Sequence, residues 1–454
     1  MPATRLTTLD ASFLEVESPS AHMHVGWAAA FAPPGRGPRP RFKELRDHVA
    51  ARMSRAPRYR QRLASMPLGV DDPVWVDDED FDVDRHVIPS FAGDLAALTD
   101  RVMSRQLRRD RPLWELWIAE ELDDGRIGVV GKAHHAMVDG VAAVELASLL
   151  LDATPDTPPP ARDDWRPQPA PGQASLLAGS VLERARAALD VAVVPFELAR
   201  TAHRLPGRVA HGLQSALALA DSLRPAPRDT GINDAISPER HLARARRPLA
   251  DLRHAKARLG ATVNDVLLAA TAGALGRFQA RRGRAAEPLK AMVPVSYRPA
   301  DGGADLGNQI SFVFVDLPCD EPDPERRLAH VQHEVGSRKR GGRPEGADRA
   351  LKVAAYAPRP VRQALSHMVA SPRTYNLVVS NIPGPSEPLY MYGCRLEEVY
   401  PVVPLSDRHA LSIGMTTVGD DAFFGIYADT ATVPDADMLA ECLDEALDEL
   451  TACC

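Results

Sequence analysis

The chain has few cysteines, few aromatic residues and no long apolar run. Its five cysteines are odd in number and lack metal-ligand spacing, so neither a disulfide framework nor a zinc cage is expected, and a reducing, cytoplasmic compartment is favoured. Asp10 and Glu15 stand where a secretory signal needs apolar residues, and no stretch of about 18 apolar residues occurs. These absences argue against export by a signal peptide and against a membrane-spanning segment.

A strong net charge of either sign is also lacking. The 54 Lys and Arg residues against 61 Asp and Glu residues give a formal charge of -7, so no global electrostatic attraction to nucleic acid exists. The 45% hydrophobic and 25% charged composition is typical of folded proteins. At 454 residues the chain is too long for one ordinary core, which predicts two domains.

Composition along the chain places a linker between two folded blocks. The stretch Thr154 to Pro171 is rich in proline, and Ser175 to Leu223 has a helical pattern interrupted by Pro195 and Pro206. We predict an N-terminal block over 1–153, a Pro-rich and helical linker over 154–238 and a C-terminal block over 239–454. Two placements of the helical bridge stay open: packing against the two blocks, or lying on a lipid surface as an amphipathic helix.

Strand and helix patterns alternate in both blocks and predict a mixed α/β fold. A hairpin turn is expected between the last two strand candidates, at Val418 to Ala422, and an amphipathic helix near the C-terminus, where Leu439, Leu443 and Leu450 follow helical spacing. The strand candidates include Ile127–Ala133, Leu289–Val295, Ile310–Leu317, Asn376–Ser380, Leu411–Thr417 and Phe423–Ala428.

Two adjacent histidines form the most informative motif. In Arg126-Ile-Gly-Val-Val-Gly-Lys-Ala-His134-His135-Ala-Met-Val-Asp139-Gly140 a strand pattern ends at the histidines and a helical pattern begins after Asp139. A histidine near neutral pH can accept a hydroxyl proton, so His135 is a candidate general base. Neighbouring side chains at a strand end diverge, so one histidine is expected to be the base and the other structural. Asp139 is expected to fix the turn through a salt bridge to an arginine.

Other interpretations of this motif remain open at the level of sequence. Each histidine can be a buried residue satisfied by backbone groups, and Asp139 can simply cap the helix that begins at Gly140. A zinc site is a further alternative, although the adjacent side chains diverge and no third ligand is evident. No Gly-x-Ser-x-Gly nucleophile elbow or phosphate-binding loop is present, which argues against covalent serine catalysis and nucleotide hydrolysis.

His-His-x-x-x-Asp-Gly resembles the active-site motif of the CoA-dependent acyltransferase superfamily. Further segments resemble one family within this superfamily, the wax ester synthase/diacylglycerol acyltransferases. With these segments the resemblance covers nearly the whole chain. These segments are Leu9-Asp-Ala-Ser-Phe-Leu-Glu-Val-Glu with Met23-His24-Val25-Gly26, Arg111-Pro-Leu-Trp114-Glu-Leu-Trp117, Thr262-Val-Asn264-Asp265-Val, Val293-Pro-Val-Ser-Tyr297-Arg298-Pro and Leu377-Val-Val-Ser-Asn381-Ile-Pro-Gly-Pro385.

The resemblance implies two chloramphenicol-acetyltransferase-like mixed α/β subdomains, with a tunnel at their interface into which His135 projects. It makes His135 the base within the catalytic motif that also includes His134, Asp139 and Gly140. It also places Asn264 and Asp265 near the reaction centre, with Arg298 and Asn381 as further substrate-binding candidates.

Several of the later motifs have simpler structural interpretations. Thr262 and Asp265 have capping-box spacing, Asn381 to Pro385 can be a rigid turn, and Trp114 and Trp117 can be core residues or tunnel wall. Arg298 is a candidate partner of Asp139, in competition with Arg60 and Arg62.

The resemblance further implies acyl transfer from acyl-CoA, a substrate, without a cofactor or metal. Diacylglycerol is the preferred acceptor, and a long-chain fatty alcohol is the next. Such acceptors imply peripheral contact with a membrane or lipid droplet, in a cytoplasmic protein with no nucleic-acid partner. Two rivals remain: a condensation-type domain that joins a carrier-bound acyl group to an amine, and a non-catalytic lipid-binding protein.

Overall fold

The computed structural model describes residues 3–35, 37–67, 71–137, 150–157, 163–179, 224–296, 310–340 and 359–452. Within these ranges two six-stranded sheets and a small three-stranded sheet are packed with helices, which confirms the predicted mixed α/β class. The predicted residues Asp139, Gly140 and Arg298, and residues 180–223 of the helical bridge, lie outside the described ranges.

The first half of the chain builds most of one large sheet. Its elements in order are β1 (Thr4–Arg5), α1 (Thr8–Glu15), β2 (His24–Ala32), α2 (Phe42–Ala50), β3 (Gln61–Ala64), β4 (Val74–Asp77), β5 (Val87–Ser90), α3 (Leu95–Met103), β6 (Trp114–Ala119) and β7 (Ile127–His134).

Strand β7 lies inside the first sheet, between β2 and β6, and every one of its residues is buried. A strand covered on both faces reads as a continuous apolar run, which is why its position was visible in the sequence.

The second half of the chain builds the other large sheet. Its elements are β8 (Arg240–Pro248), α4 (Leu249–Arg258), α5 (Val263–Arg281), β9 (Leu289–Ser296), β10 (Ile310–Leu317), α6 (Pro324–Arg340), α7 (Arg359–Val369), β11 (Leu377–Ile382), β12 (Tyr390–Met391), β13 (Cys394–Val402), β14 (Leu411–Val418), β15 (Asp421–Asp429) and α8 (Ala436–Ala452).

The strand order of the second large sheet is β10-β9-β11-β14-β15-β8. The two remaining strands of this half, β12 and β13, belong to the first sheet. The predicted hairpin is confirmed, because Val418 pairs with Asp421 and Gly419 between them has a φ of +57°. Helix α8 buries its apolar positions as predicted.

The chain returns once to the first sheet. Strand β13 pairs antiparallel with β2, and β12 continues that edge, so residues 390–402 complete the sheet built by the N-terminal half. Contacts between α3 and β8 add a second connection: Asp100 accepts from the Leu242 N–H at 2.9 Å, and His241 Nδ1 lies 2.7 Å from the same carboxylate. The two halves are therefore connected by the pairing of β13 with β2 and by a partly buried polar contact.

Helix α5 forms the centre of the second half and is buried along most of its length. Among the described residues no single helix is long and apolar enough to cross a membrane. Only α4 and α5 taken together, with a bend of 100° between them, meet that length and composition.

Candidate active site

The paired histidines lie where β7 ends, as the strand pattern predicts. His134 is the last residue of the strand, and His135 begins a short 3-10 turn that ends at Met137. The His134 N–H donates to the Leu113 carbonyl and the His135 N–H donates to the Met23 carbonyl, each at 2.9 Å. The backbone that carries both rings is therefore anchored to the segments on either side.

His134 has the geometry of a structural residue. Its side chain is 1% exposed, and its Nδ1 accepts the N–H of Ala136 at 3.1 Å, across the neighbouring His135. Burial holds the pKa of His134 well below its ordinary value, and the charge of Arg109 acts in the same direction. The ring is therefore neutral near pH 7, and its hydrogen bond closes the turn.

His135 has different surroundings. Its ring stacks on Phe13 of α1, with centroids 3.7 Å apart, and protein surrounds the imidazole closely, although the residue as a whole keeps some accessible surface. Burial lowers the pKa of His135 to about 4, against the opposing effect of its own backbone carbonyl. No hydrogen bond of standard geometry links Nδ1 to a described residue. The imidazole is therefore neutral near pH 7, the state in which a ring nitrogen can accept a proton.

Asn264 and Asp265 occupy the first turn of α5. The Thr262 hydroxyl accepts from the Asp265 N–H at 3.2 Å, and the Asp265 carboxylate accepts from the Thr262 N–H at 2.8 Å. The capping box that the spacing allows is therefore present, and it engages the Asp265 side chain. Asn264 is half-buried and its amide has no hydrogen bond to a described residue, so it remains the better candidate for contact with a substrate.

Asn381 lies near the carboxyl end of β11, paired with Met415 of β14. The turn that follows is tightly packed, because a Cβ placed on Gly384 would lie only 1.7 Å from the Thr417 carbonyl oxygen. This close approach requires glycine and supports the rigid-turn interpretation of the segment.

The arginines that compete for Asp139 have other partners. Arg60 pairs with Asp163, and Arg62 Nε lies 3.5 Å from Asp78. Trp114 is a core residue that stacks on His86. Its indole N–H donates to the backbone carbonyl oxygen of Tyr59 at 2.8 Å.

Sequence reasoning gave no role to Phe13 or to Glu17. Both belong to the segment whose likeness to the family was noted, but nothing in their spacing shows that the chain folds back to place them against the histidine turn. Among the described residues no group of three or more His, Cys, Asp or Glu side chains is arranged to hold a metal ion.

The fold and the histidine turn define the class of protein. A condensation domain of the CDA synthetase aligns over 99% of this chain and 96% of its own, with a TM-score of 0.59. At 16% identity this likeness shows the shared two-subdomain fold alone. The chain therefore has the fold that condensation domains have.

The chain belongs to the wax ester synthase/diacylglycerol acyltransferase family. The family's catalytic-domain model matches residues 6–267, and its C-terminal-domain model matches residues 306–451. Two probable diacylglycerol O-acyltransferases of Mycobacterium tuberculosis are similar along almost their full length: one is 31% identical, covering 98% of this chain and 96% of the relative, and the other is 32% identical, covering 97% of each.

A solved structure from the same family also aligns with this chain. The wax ester synthase/diacylglycerol acyltransferase of Marinobacter aquaeolei VT8 covers 98% of both chains with a TM-score of 0.68 and 26% identity. The protein is thus an acyltransferase by family, as the sequence predicts.

Proposed function

We propose that this enzyme transfers a long-chain acyl group from acyl-CoA to diacylglycerol, and with lower preference to a long-chain fatty alcohol. Membership of the family supports the reaction class, and the observation that carries the proposal is the neutral imidazole of His135 at the end of β7, in a residue that keeps some accessible surface. No cofactor enters the reaction, because a thioester already supplies an activated acyl group.

In the proposed mechanism His135 acts as general base in a single complex of enzyme, acyl-CoA and acceptor. With Nδ1 buried, Nε2 takes the hydroxyl proton while the oxygen forms a bond to the thioester carbon. The tetrahedral oxyanion collapses, the carbon–sulfur bond breaks, and the CoA thiolate takes the proton back from the imidazolium. Asn264 or a backbone N–H donates to the oxyanion. Asp139 and Arg298 are proposed to hold the turn, and Asp265 and Asn381 to line the substrate site.

The function is tested by measuring free CoA released from palmitoyl-CoA with diacylglycerol, with hexadecanol, with a long-chain amine or with no acceptor, and by identifying the lipid product. Triacylglycerol formed in step with CoA is expected, with less wax ester from hexadecanol. Release that needs an amine acceptor would support the condensation-type rival, and no acceptor-dependent release would support a lipid-binding protein.

The low pKa of His135 predicts an unusual pH profile. Only the neutral imidazole accepts a proton, and a pKa of about 4 keeps the ring neutral throughout the physiological range. Activity lost by protonation therefore appears only as the pH falls toward that value. We expect kcat/KM to vary by no more than about twofold between about pH 6 and about pH 8. An acid limb centred near the ordinary histidine pKa of about 6.5 would contradict this assignment.

Apolar acceptors require access to lipid, and we propose that the protein associates peripherally with a membrane or lipid droplet from the cytoplasmic side. Helix α7 supports this proposal because its polar side faces the protein. Arg362 pairs with Asp72, and the Ser366 hydroxyl donates to Glu15 of α1 at 2.9 Å. Its opposite side is apolar and exposed, and comprises Val361, Leu365, Met368 and Val369. Since α1 also carries Phe13, helix α7 lies beside the element that packs on His135.

A flotation assay with phosphatidylcholine vesicles containing diacylglycerol tests the apolar face of α7. The double variant Leu365→Glu/Met368→Glu should lose most vesicle binding, because two charges replace side chains that enter the interface. Phe91→Glu is the matched control, because Phe91 is an exposed apolar residue just after β5, away from α7 in the sequence. This variant should float like the unchanged protein. Equal flotation of all three proteins, or none, would refute the role of α7.

A further inference from the structure

A buried carboxylate lies behind the histidine turn. Glu17 follows α1, and its side chain is only 6% exposed. It pairs with Arg109, accepts from the Gln106 amide at 3.0 Å through Oε1, and places Oε2 3.7 Å from His134 Nε2. Three polar groups from two separate segments therefore converge on one carboxylate.

The hydrogen bond on the other side of the His134 ring fixes where its proton resides. Because the Ala136 N–H donates to Nδ1, that nitrogen carries no proton. The neutral ring must then carry its proton on Nε2, the nitrogen that faces Glu17. Among the described residues no hydrogen bond reaches Nε2, and the Glu17 carboxylate is the anionic group beside it.

A carboxylate next to one ring nitrogen favours the tautomer with the proton on that nitrogen. Glu17 therefore selects the tautomer that leaves Nδ1 free to accept from Ala136. In the other tautomer the Nδ1 proton would face the Ala136 N–H, two donors without an acceptor, and the turn would have to open. His135 lies inside that turn.

We infer that Glu17 is a positioning residue for acyl transfer: it holds His134 in the Nε2–H tautomer, and His134 in turn holds the backbone that carries His135. The effect of Glu17 on catalysis rests on the proposed function. The tautomer of His134 does not, because it can be measured without any substrate. Arg109 and Gln106 keep the carboxylate in place.

Loss of Glu17 should lower kcat more than it changes binding. A displaced catalytic group costs on the order of a hundredfold for a shift of about 1 Å, and loss of an outer orienting partner costs roughly tenfold or more. We expect Glu17→Ala to lower kcat at least about tenfold and to change KM for palmitoyl-CoA by less than about twofold. Glu17→Gln keeps an acceptor oxygen beside Nε2 and should restore most of kcat.

The matched control is Glu121→Ala, because Glu121 is an exposed acid that pairs with Arg39 and lies on a different loop. It should behave like the unchanged protein. Thermal unfolding of each variant separates catalytic loss from lost stability. The inference is overturned when Glu17→Ala keeps full kcat, or when Glu17→Gln loses as much kcat as Glu17→Ala.

Nitrogen-15 NMR of histidine-labelled protein supplies the substrate-free readout. A His134→Gln sample assigns the His134 signals, which should show a protonated Nε2 and an unprotonated Nδ1 in the unchanged protein and in Glu17→Gln. Glu17→Ala should shift toward the other tautomer or a mixture. An Nδ1-protonated ring in the unchanged protein would overturn the inference, whereas absent turnover with the expected tautomer would refute only the proposed function.

Discussion

Replacing His135 with alanine is expected to lower acyl transfer by roughly a thousandfold, because general base catalysis typically contributes about 10²- to 10⁴-fold. The hydroxyl acceptor is a weak nucleophile, whereas the thiol leaving group departs readily, so the step that loses the base is the difficult one. Acyl-CoA binding should persist, since the proposed role of the ring is toward the acceptor proton. Turnover is measured by CoA release, and binding by calorimetry with palmitoyl-CoA.

Two controls separate the chemistry of His135 from its packing. His254→Ala removes an exposed imidazole on α4 and should keep full turnover. Thermal unfolding of His135→Ala reports the cost of losing the stacking contact with Phe13. A folded His135→Ala protein with more than about a tenth of normal turnover would refute the assignment of this residue as base.

Replacing Lys132 with methionine is expected to cost about 3 kcal/mol of folding free energy, as breaking one side of a buried ion pair typically does. Lys132 is completely buried on β7, two residues before His134. Its ammonium group donates to the carbonyl oxygens of Val102 at 2.9 Å and Arg105 at 2.7 Å, and lies 3.2 Å from Glu115. Methionine preserves volume but leaves two carbonyls and a carboxylate without their cation.

The loss should appear in urea unfolding as a lower midpoint. Methionine leaves the Glu115 carboxylate with the Trp117 indole N–H but without its cation, so the double variant Lys132→Met/Glu115→Gln should recover part of the lost stability. Lys256→Met is the matched control because Lys256 is an exposed residue of α4, and it should change the folding free energy by less than about 0.5 kcal/mol. An unchanged midpoint for Lys132→Met would show that this ammonium group is not holding α3 against β7.

The sequence predicted the buried strands well because their signal is local. Ile310–Leu317 has the predicted bounds, and the strand that leads to the histidines was misjudged by a single residue. Both are apolar, β-branched runs bounded by polar residues, so neighbouring positions contain the information. The capping box at Thr262 could be predicted for the same reason, because its two partners are three residues apart.

Contacts between segments that are distant in the chain could not be predicted from the sequence. Strand β13 pairs with β2, which lies more than 360 positions earlier in the chain, as the partners Arg395 and Ala32 show, and no local pattern states which sheet a strand will join. Likewise Glu17 meets a histidine that is more than a hundred positions away. The linker and domain boundaries stay predictions, as do the roles of Asp139, Gly140 and Arg298.

The most direct measurement is a crystal structure of the enzyme with a non-cleavable thioether analogue of palmitoyl-CoA. We expect the pantetheine arm to reach the end of β7 and to place the carbon that stands for the thioester carbonyl beside His135 Nε2, with room for one hydroxyl oxygen at about 3 Å from each. An acyl chain bound elsewhere, or a His135 ring sealed from the bound ligand, would contradict it.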